Sequence, residues 1–309
     1  MTAVRFHGRG DVRVDEVEEP LCGKDEVKMR PAYVGICGSD IHEYISGPIL
    51  VSKEAYPANG NEIPVTLGHE FSGIIEERYG GGMARFIVAP LEHFYALPDN
   101  VSLEAGALVE PLAVAWHAAK LSPFKANDTA LVLGGGPIGI GVIQVLKLRG
   151  AKNIILVELM ENRKKLGKEL GATHIFDPKE CDIPAEVSKV TNEVGADVIF
   201  DSAGVEVALN GIIGACRVHG TIVNIAVWEN KPSLAVNDMT YSEINYMGAA
   251  LYDEQSFLDV IKALSYGQQL NTDKMITARI KLAEAVEKGL QELVNHRDRH
   301  CKILIDAQA

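Results

Sequence analysis

The chain has no Cys-x-x-Cys pair, and its five cysteines, Cys22, Cys37, Cys181, Cys216 and Cys301, are scattered along it. That spacing excludes a disulfide framework and a closed four-cysteine zinc site, so most of these thiols read as small core residues. Long apolar runs are missing too. No stretch of about 18 uncharged apolar residues occurs, so no membrane-spanning helix is expected. The opening MTAVRFHGRG lacks the apolar centre of a secretory signal, and the expected location is cytoplasmic. Basic residues are the minority: 30 Lys and Arg face 42 Asp and Glu, a net charge of -12. Nucleic acid and anionic membrane surfaces are poor partners for such a chain, because both are bound by clustered cations that release counterions.

What is present suits a soluble globular protein of two packed domains, with 309 residues, 47% hydrophobic and 23% charged. From residue 129, β-branched runs alternate with helical stretches, the pattern of parallel strands joined by crossover helices. Strands are expected at TALVL (129–133), NIILVE (153–158), HIFD (174–177), DVIFD (197–201), TIVNIAV (221–227) and INYMGAAL (244–251). Six such strands predict an α/β, doubly wound parallel sheet of the Rossmann kind. Ile140, Ile143, Val145, Leu146 and Leu148 fit a helix buried against it.

The turn Gly134-Gly135-Gly136-Pro137-Ile138-Gly139 matches G-x-G-x-x-G. It follows an expected strand, opens an expected helix, and has Glu158 ending the next strand nineteen residues after Gly139. That context makes it a dinucleotide-binding signature. Gly134 permits the tight turn, Gly136 lets the backbone approach a pyrophosphate, and Gly139 brings helix and strand close. Pro137 and Ile138 open the helix, whose N-terminus offers free N–H groups and a positive dipole end. Glu158 can accept from both ribose hydroxyls and would repel a 2′-phosphate, which favours NAD over NADP. Arg163, Lys164 and Lys165 follow. They could soften that preference, or form a solvated helix face.

Nearer the N-terminus, VGICGSDIHEY holds Cys37, Ser39, Asp40 and His42, and LGHEFSG holds His69 and Glu70. Thiolate, imidazole and carboxylate are the donors of a catalytic zinc, whose ligands come from separated segments and leave one position open. A buried cysteine and surface His and Glu would give the same letters without a metal. Turn and helix capping would equally use the Ser-Asp pair.

Taken with AVRFHGRGDVRV, VTLGHEFSG, ALVEPLAVAWHA, LVLGGGPIGIGVIQ and the tail MITARIKLAEAVEKGLQELVN, these segments make the chain resemble the zinc-dependent medium-chain alcohol and polyol dehydrogenases. Within them it is most similar to the 2,3-butanediol and sorbitol dehydrogenase branch. The resemblance implies that Cys37, His69 and Glu110 ligate zinc, with Glu70 a ligand or an exchanging one. It implies that Ser39 takes the substrate proton and passes it toward His42, that Asp40 fixes the tautomer of His69, and that hydride moves between substrate and NAD. One catalytic zinc is expected and no structural zinc.

The same resemblance exposes a gap. After IIEE the family continues through a second strand and a lobe whose four cysteines hold a structural zinc. This chain passes from Glu77 through Arg78 and Tyr79 into GGGMARFIVAP, with no cysteine between Glu70 and Glu110. A strand missing from a barrel leaves apolar faces and unpaired backbone groups in water.

The architecture expected is a shortened GroES-like β-barrel catalytic domain over residues 1–112, rejoined by 273–309, and an NAD-binding Rossmann domain over 113–272. Zinc and substrate are expected in a cleft between them. The expected substrate is a small secondary alcohol, a 2,3-butanediol-like diol or a sorbitol-like polyol, interconverted with its ketone. The apolar INYMGAAL suggests a homo-oligomer, dimer or tetramer. Two alternatives stand beside this reading: a deletion product that binds NAD with little or no activity, and a zinc-free quinone or enone reductase.

Overall fold

A computed structural model of the chain describes residues 1–21, 26–49, 51, 63–77, 83–228, 230–267 and 270–309. The join expected at Arg78–Gly82 lies outside them, as does Cys22. The chain divides into two compact units, Met1–Glu110 with Ile276–Ala309, and Pro111–Met275.

The first unit begins with six strands: β1 (Thr2–Gly8), β2 (Asp11–Glu16), β3 (Glu26–Gly35), β4 (Val65–Thr66), β5 (Glu70–Glu77) and β6 (Ile87–Pro90). Their patterns explain them. In β3, EVKMRPAYVG, burial alternates through Val27, Met29 and Pro31 as a half-buried strand requires. Pro31 cannot donate to a ladder, and the β3–β5 register shifts between Pro31 and Tyr33, where a strand tolerates such a residue.

The second unit supplies β7 (Thr129–Leu133), β8 (Asn153–Val157), β9 (His174–Phe176), β10 (Ala196–Asp201), β11 (Cys216–Asn224) and β12 (Asn245–Gly248). They form one parallel sheet in the order β12-β11-β10-β7-β8-β9. Every residue of β7 is buried, as expected where helices cover both faces. Two strands depart from expectation. β11 starts five residues early, because left-handed His219 (φ 57°) and Gly220 break its alternation and read as a turn. It stops at Asn224, where the N–H groups of Ile225 and Ala226 both donate to the Asp201 carbonyl. β12 is confined to Asn245–Gly248.

The chain returns to the first unit through β13 (Ile276–Lys281) and β14 (Lys302–Asp306). Two sheets result, β2-β1-β4 and β13-β14-β3-β5, with β6 also on β3. Val4, Phe6, Val34, Ile36, Met83, Ile303 and Ile305 make their common core. Fully burying one such aliphatic side chain contributes about 1.5–3 kcal/mol. In the second unit Leu131, Ile155, Ile199 and Ile222 play that part.

β5 ends its sheet. Among the described residues it pairs with β3 alone, and Ile74 and Ile75, neighbours that point to opposite faces, are 49% and 55% exposed. Two half-exposed isoleucines on both faces of an eight-residue strand mark an edge that no second strand pairs with among the described residues. Among the described residues no helix is long and apolar enough to cross a membrane.

Candidate active site

Register in the first unit brings the metal-type donors together. Gly35 on β3 lies opposite Glu70 on β5, so Cys37, two residues on, meets His69 and Glu70 across the ladder. Their Sγ, ring nitrogen and carboxylate oxygen all lie within 4.8 Å of one another. Glycine is needed at 35, since a Cβ there would run into the Glu70 carboxylate.

Cys37 also caps the helix Gly38–Ser46. Its N–H donates to Asp40 Oδ2 at 2.9 Å, half of a capping box. That bond fixes the buried Asp40; His69 bears on Asp40 as a neighbouring charge. Burial raises the Asp40 carboxyl, and His69 and the Cys37 N–H oppose that rise. Ser39 Oγ stands 3.4 Å from His69 Nε2, which places it beside the donor group. His42 is one turn further along the same helix and half-buried.

A residue that sequence reasoning passed over completes the cluster. β14 flanks β3 on its other side, with the Ile36 N–H donating to the Ile303 carbonyl. This carries Lys302 inward, 1% exposed, where Nζ donates to Glu70 Oε1 at 2.8 Å, Glu70 Oε2 at 2.6 Å and the Ile36 carbonyl at 3.0 Å. Glu70 is equally buried, at 1%. The sequence signal was slight: a lysine opening the apolar strand KILID.

Glu110 opens the helix Val109–Leu121 and is buried, but its carboxylate is not among the three donors within 4.8 Å. Burial pushes its carboxyl up to about 8, Glu70 adds to that, and Lys302 opposes it. The Cys37 thiol is raised for the same reasons, burial first. The donor set therefore fits a divalent cation. Its charge would stabilise the thiolate and carboxylates that burial disfavours.

The second unit holds the glycine turn. Gly134 has φ +93°, and a Cβ on Gly139 would strike the Gly134 carbonyl, so both positions require glycine. At Gly136 the space a Cβ would occupy is open, with Arg163 Nη1 the nearest atom at 4.0 Å. That open cradle, ahead of Pro137 and the first-turn amides of Ile138 and Gly139, fits a pyrophosphate beside a guanidinium. Glu158 is 7% exposed; its Oε2 accepts from Gly135 N–H at 2.7 Å, and Oε1 from Leu159 and Met160 N–H at 2.7 and 2.9 Å. Ser202, unnoticed in the sequence, braces the turn by donating to the Leu133 and Gly134 carbonyls at 3.0 and 3.2 Å. Lys164 departs from the expected solvated face. It is buried and paired with Asp177 at 2.5 Å and Glu161 at 2.8 Å, because its stem covers the helix's inner face.

Comparison with known proteins agrees with this geometry. Residues 137–266 match the zinc-binding dehydrogenase family, and residues 23–88 the alcohol dehydrogenase GroES-like domain. The chain is 34% identical to (R,R)-butanediol dehydrogenase of Bacillus subtilis (strain 168) and 32% identical to that of Neisseria gonorrhoeae (strain ATCC 700825 / FA 1090), with 99% of each chain covered in both cases. Its fold superposes on the crystal structure of 2R,3R-butanediol dehydrogenase from Bacillus subtilis with a TM-score of 0.92, at 33% identity and 99% coverage of both chains. The chain belongs to the zinc-binding dehydrogenases, medium-chain enzymes of the alcohol and polyol type. The two sequence matches run over 347 and 354 positions, more than the 309 residues here, so those relatives carry residues without a counterpart in this chain.

Proposed function

We propose that this chain is a zinc-dependent, NAD-preferring oxidoreductase that interconverts a small secondary alcohol, a vicinal diol like 2,3-butanediol above all, with its ketone. The observation that carries the reading is the meeting of Cys37, His69 and Glu70 donor atoms within 4.8 Å in a chain of this family. Cys37 and His69, with Glu70 or Glu110 as the carboxylate, would hold one zinc, which when bound supplies a Lewis acid that acidifies the substrate hydroxyl. NAD, when bound, supplies the hydride acceptor.

This chain's own residues do the rest. Ser39 Oγ, beside His69, takes the hydroxyl proton, and His42 hands it to solvent. Asp40 holds the Cys37 backbone in place. Gly134 to Gly139 receive the pyrophosphate with Arg163 above them, while Glu158 exchanges its Gly135 partner for ribose hydroxyls. Zinc content of the monodisperse protein, together with absorbance at NADH wavelengths when 2,3-butanediol and NAD are supplied, tests the reading. One zinc per chain and diol-dependent NADH formation are expected; zinc-free protein that still oxidises the diol would refute it.

A second reading has its own support. The open edge of β5 and the residues present only in relatives favour a shortened protein that binds NAD and turns over weakly. A turnover rate far below that of the Bacillus subtilis enzyme, at equal zinc content, would select it.

A further inference from the structure

The strand order β12-β11-β10-β7-β8-β9 puts the first strand of this sheet, β7, inside it: the chain runs out to β8 and β9, then returns to lay β10 on the other side of β7. At such a switch point the turns after the two strands diverge, and a crevice for a ligand opens at their carboxyl ends. The glycine turn follows β7, and Glu158 follows β8. A dinucleotide with its adenosine ribose at Glu158 and its pyrophosphate on the glycine turn therefore carries its nicotinamide half the opposite way, over the segments that follow β10 and β11. One buried residue ties both segments down. Asp201 ends β10, fully buried, and its Oδ1 accepts from the Ala203 and Gly204 N–H groups at 2.9 and 3.2 Å. Its carbonyl accepts from the Ile225 and Ala226 N–H groups at 2.9 and 3.1 Å. The segments also touch each other and the glycine turn: a Cβ on Gly204 would lie 3.0 Å from the Ala226 Cβ, and one on Gly134 3.2 Å from the Ala203 Cβ.

We propose that Asp201 is a positioning residue for the nicotinamide half of the cofactor, holding residues 202–204 and 225–226 as one preformed surface beside the pyrophosphate cradle. This rests on the NAD reading given above. Four N–H groups from two separate turns end on this single residue. Without the carboxylate, the Ala203 and Gly204 N–H groups lose their acceptor, and the turn must reorganise to find another. A cofactor that meets a turn it must first reshape binds more weakly, whereas a ligand that ends at the pyrophosphate never meets it.

Calorimetric titrations of the full-length protein with NADH and, separately, with ADP distinguish the two halves of the site. Asp201→Ala is expected to weaken NADH binding about tenfold and ADP binding by no more than about twofold. Asp201→Asn, whose amide oxygen accepts in place of Oδ1, is expected to bring NADH affinity back to within about threefold of wild type. Gly204→Ala leaves Asp201 untouched but strains the same turn, at φ +64° and against Ala226, so it is expected to repeat the Asp201→Ala pattern. It decides the question if Asp201→Ala does not fold. The stoichiometry of ADP counts the folded protein in every sample. NADH and ADP weakened equally would make Asp201 a support of the whole unit, and that overturns the proposal. So does NADH binding left unchanged by Asp201→Ala or by Gly204→Ala, or an Asp201→Asn protein as weak as Asp201→Ala. A wild-type chain that binds neither NADH nor ADP overturns the NAD reading and this with it.

Discussion

Both units of this protein have sheet edges, but they treat them differently. In the second unit the six-stranded sheet ends in β9, three residues long, and β12, four residues long, both much shorter than β5. In the first unit β5 ends its sheet with eight residues, Ile74 and Ile75 half-exposed, and β3 as its one strand partner among the described residues. The same chain thus carries a finished sheet and an unfinished one. The metal-type donors stand at the start of the unfinished strand, at His69 and Glu70, so whatever loosens β5 bears on the site.

Independence of the two units is the sharpest thing to test. Cys37→Ser is expected to abolish zinc binding and alcohol oxidation while leaving NAD affinity within about twofold, since the thiol belongs to one unit and the glycine turn to the other. Metal analysis and a fluorescence titration with NADH check it. Loss of nucleotide binding in the variant would break the comparison. Hydrogen exchange grades the contrast within one experiment. Amides of Glu70–Glu77 are expected to exchange about a hundredfold faster than those of Thr129–Leu133 and Ala196–Asp201, and equal protection would show that β5 is closed by something else.

How much of this the sequence discloses follows from distance along the chain. The second unit was legible because its signals are local: period, glycine turn, and an acid at the end of the next strand. Residues such as His219 misled, since a left-handed residue inside a strand looks like a turn until its neighbours are placed. Cys37, His69 and Glu70 were readable as donor types, yet what joins them is the pairing of Gly35 with Glu70, which no local pattern encodes. Lys302 was invisible for the same reason. A lysine at the head of an apolar strand ordinarily reaches water, and only the placing of β14 beside β3 turns it inward.

Within the second unit Glu158 offers a smaller effect. Its carboxylate accepts from the Gly135, Leu159 and Met160 N–H groups, so Glu158→Ala is expected to lower NAD affinity about tenfold and to improve NADP relative to NAD, with Arg163 at hand for the extra phosphate. Dissociation constants for both cofactors decide it. Asp201 adds a pH dependence to the same unit. It is fully buried; Oδ1 accepts from Ala203 and Gly204 N–H, while Oδ2 has no partner among the described residues. Burial raises its carboxyl, and the two N–H groups oppose that rise. Because the folded value lies above the unfolded one of about 3.9, the unfolded chain binds fewer protons between the two values, and stability falls as pH rises through that window. Asp201→Asn keeps the Oδ1 acceptor and lacks the charge. Its denaturation midpoint is expected to lose less between pH 4 and pH 8 than that of the wild type, and parallel curves would remove Asp201 from the account.

The mildest change goes to the open edge itself. Ile75 is 55% exposed on a strand that ends its sheet, so replacing it forfeits little buried area and should alter folding stability by no more than about 0.5 kcal/mol. An eight-residue edge strand that exposes Ile74 and Ile75 is nonetheless a template for another copy's edge, and a lysine at 75 makes a symmetric pairing there bring like charges together. Ile75→Lys is therefore expected to leave the melting temperature nearly unchanged while suppressing concentration-dependent association in light scattering. The control is Val207→Lys, at a position 79% exposed on a helix of the second unit, which should alter neither. If both lysines improved dispersity equally, net charge would be the cause. If neither did, the edge of β5 would be protected in solution, and the contrast between the two sheets would lose its physical consequence.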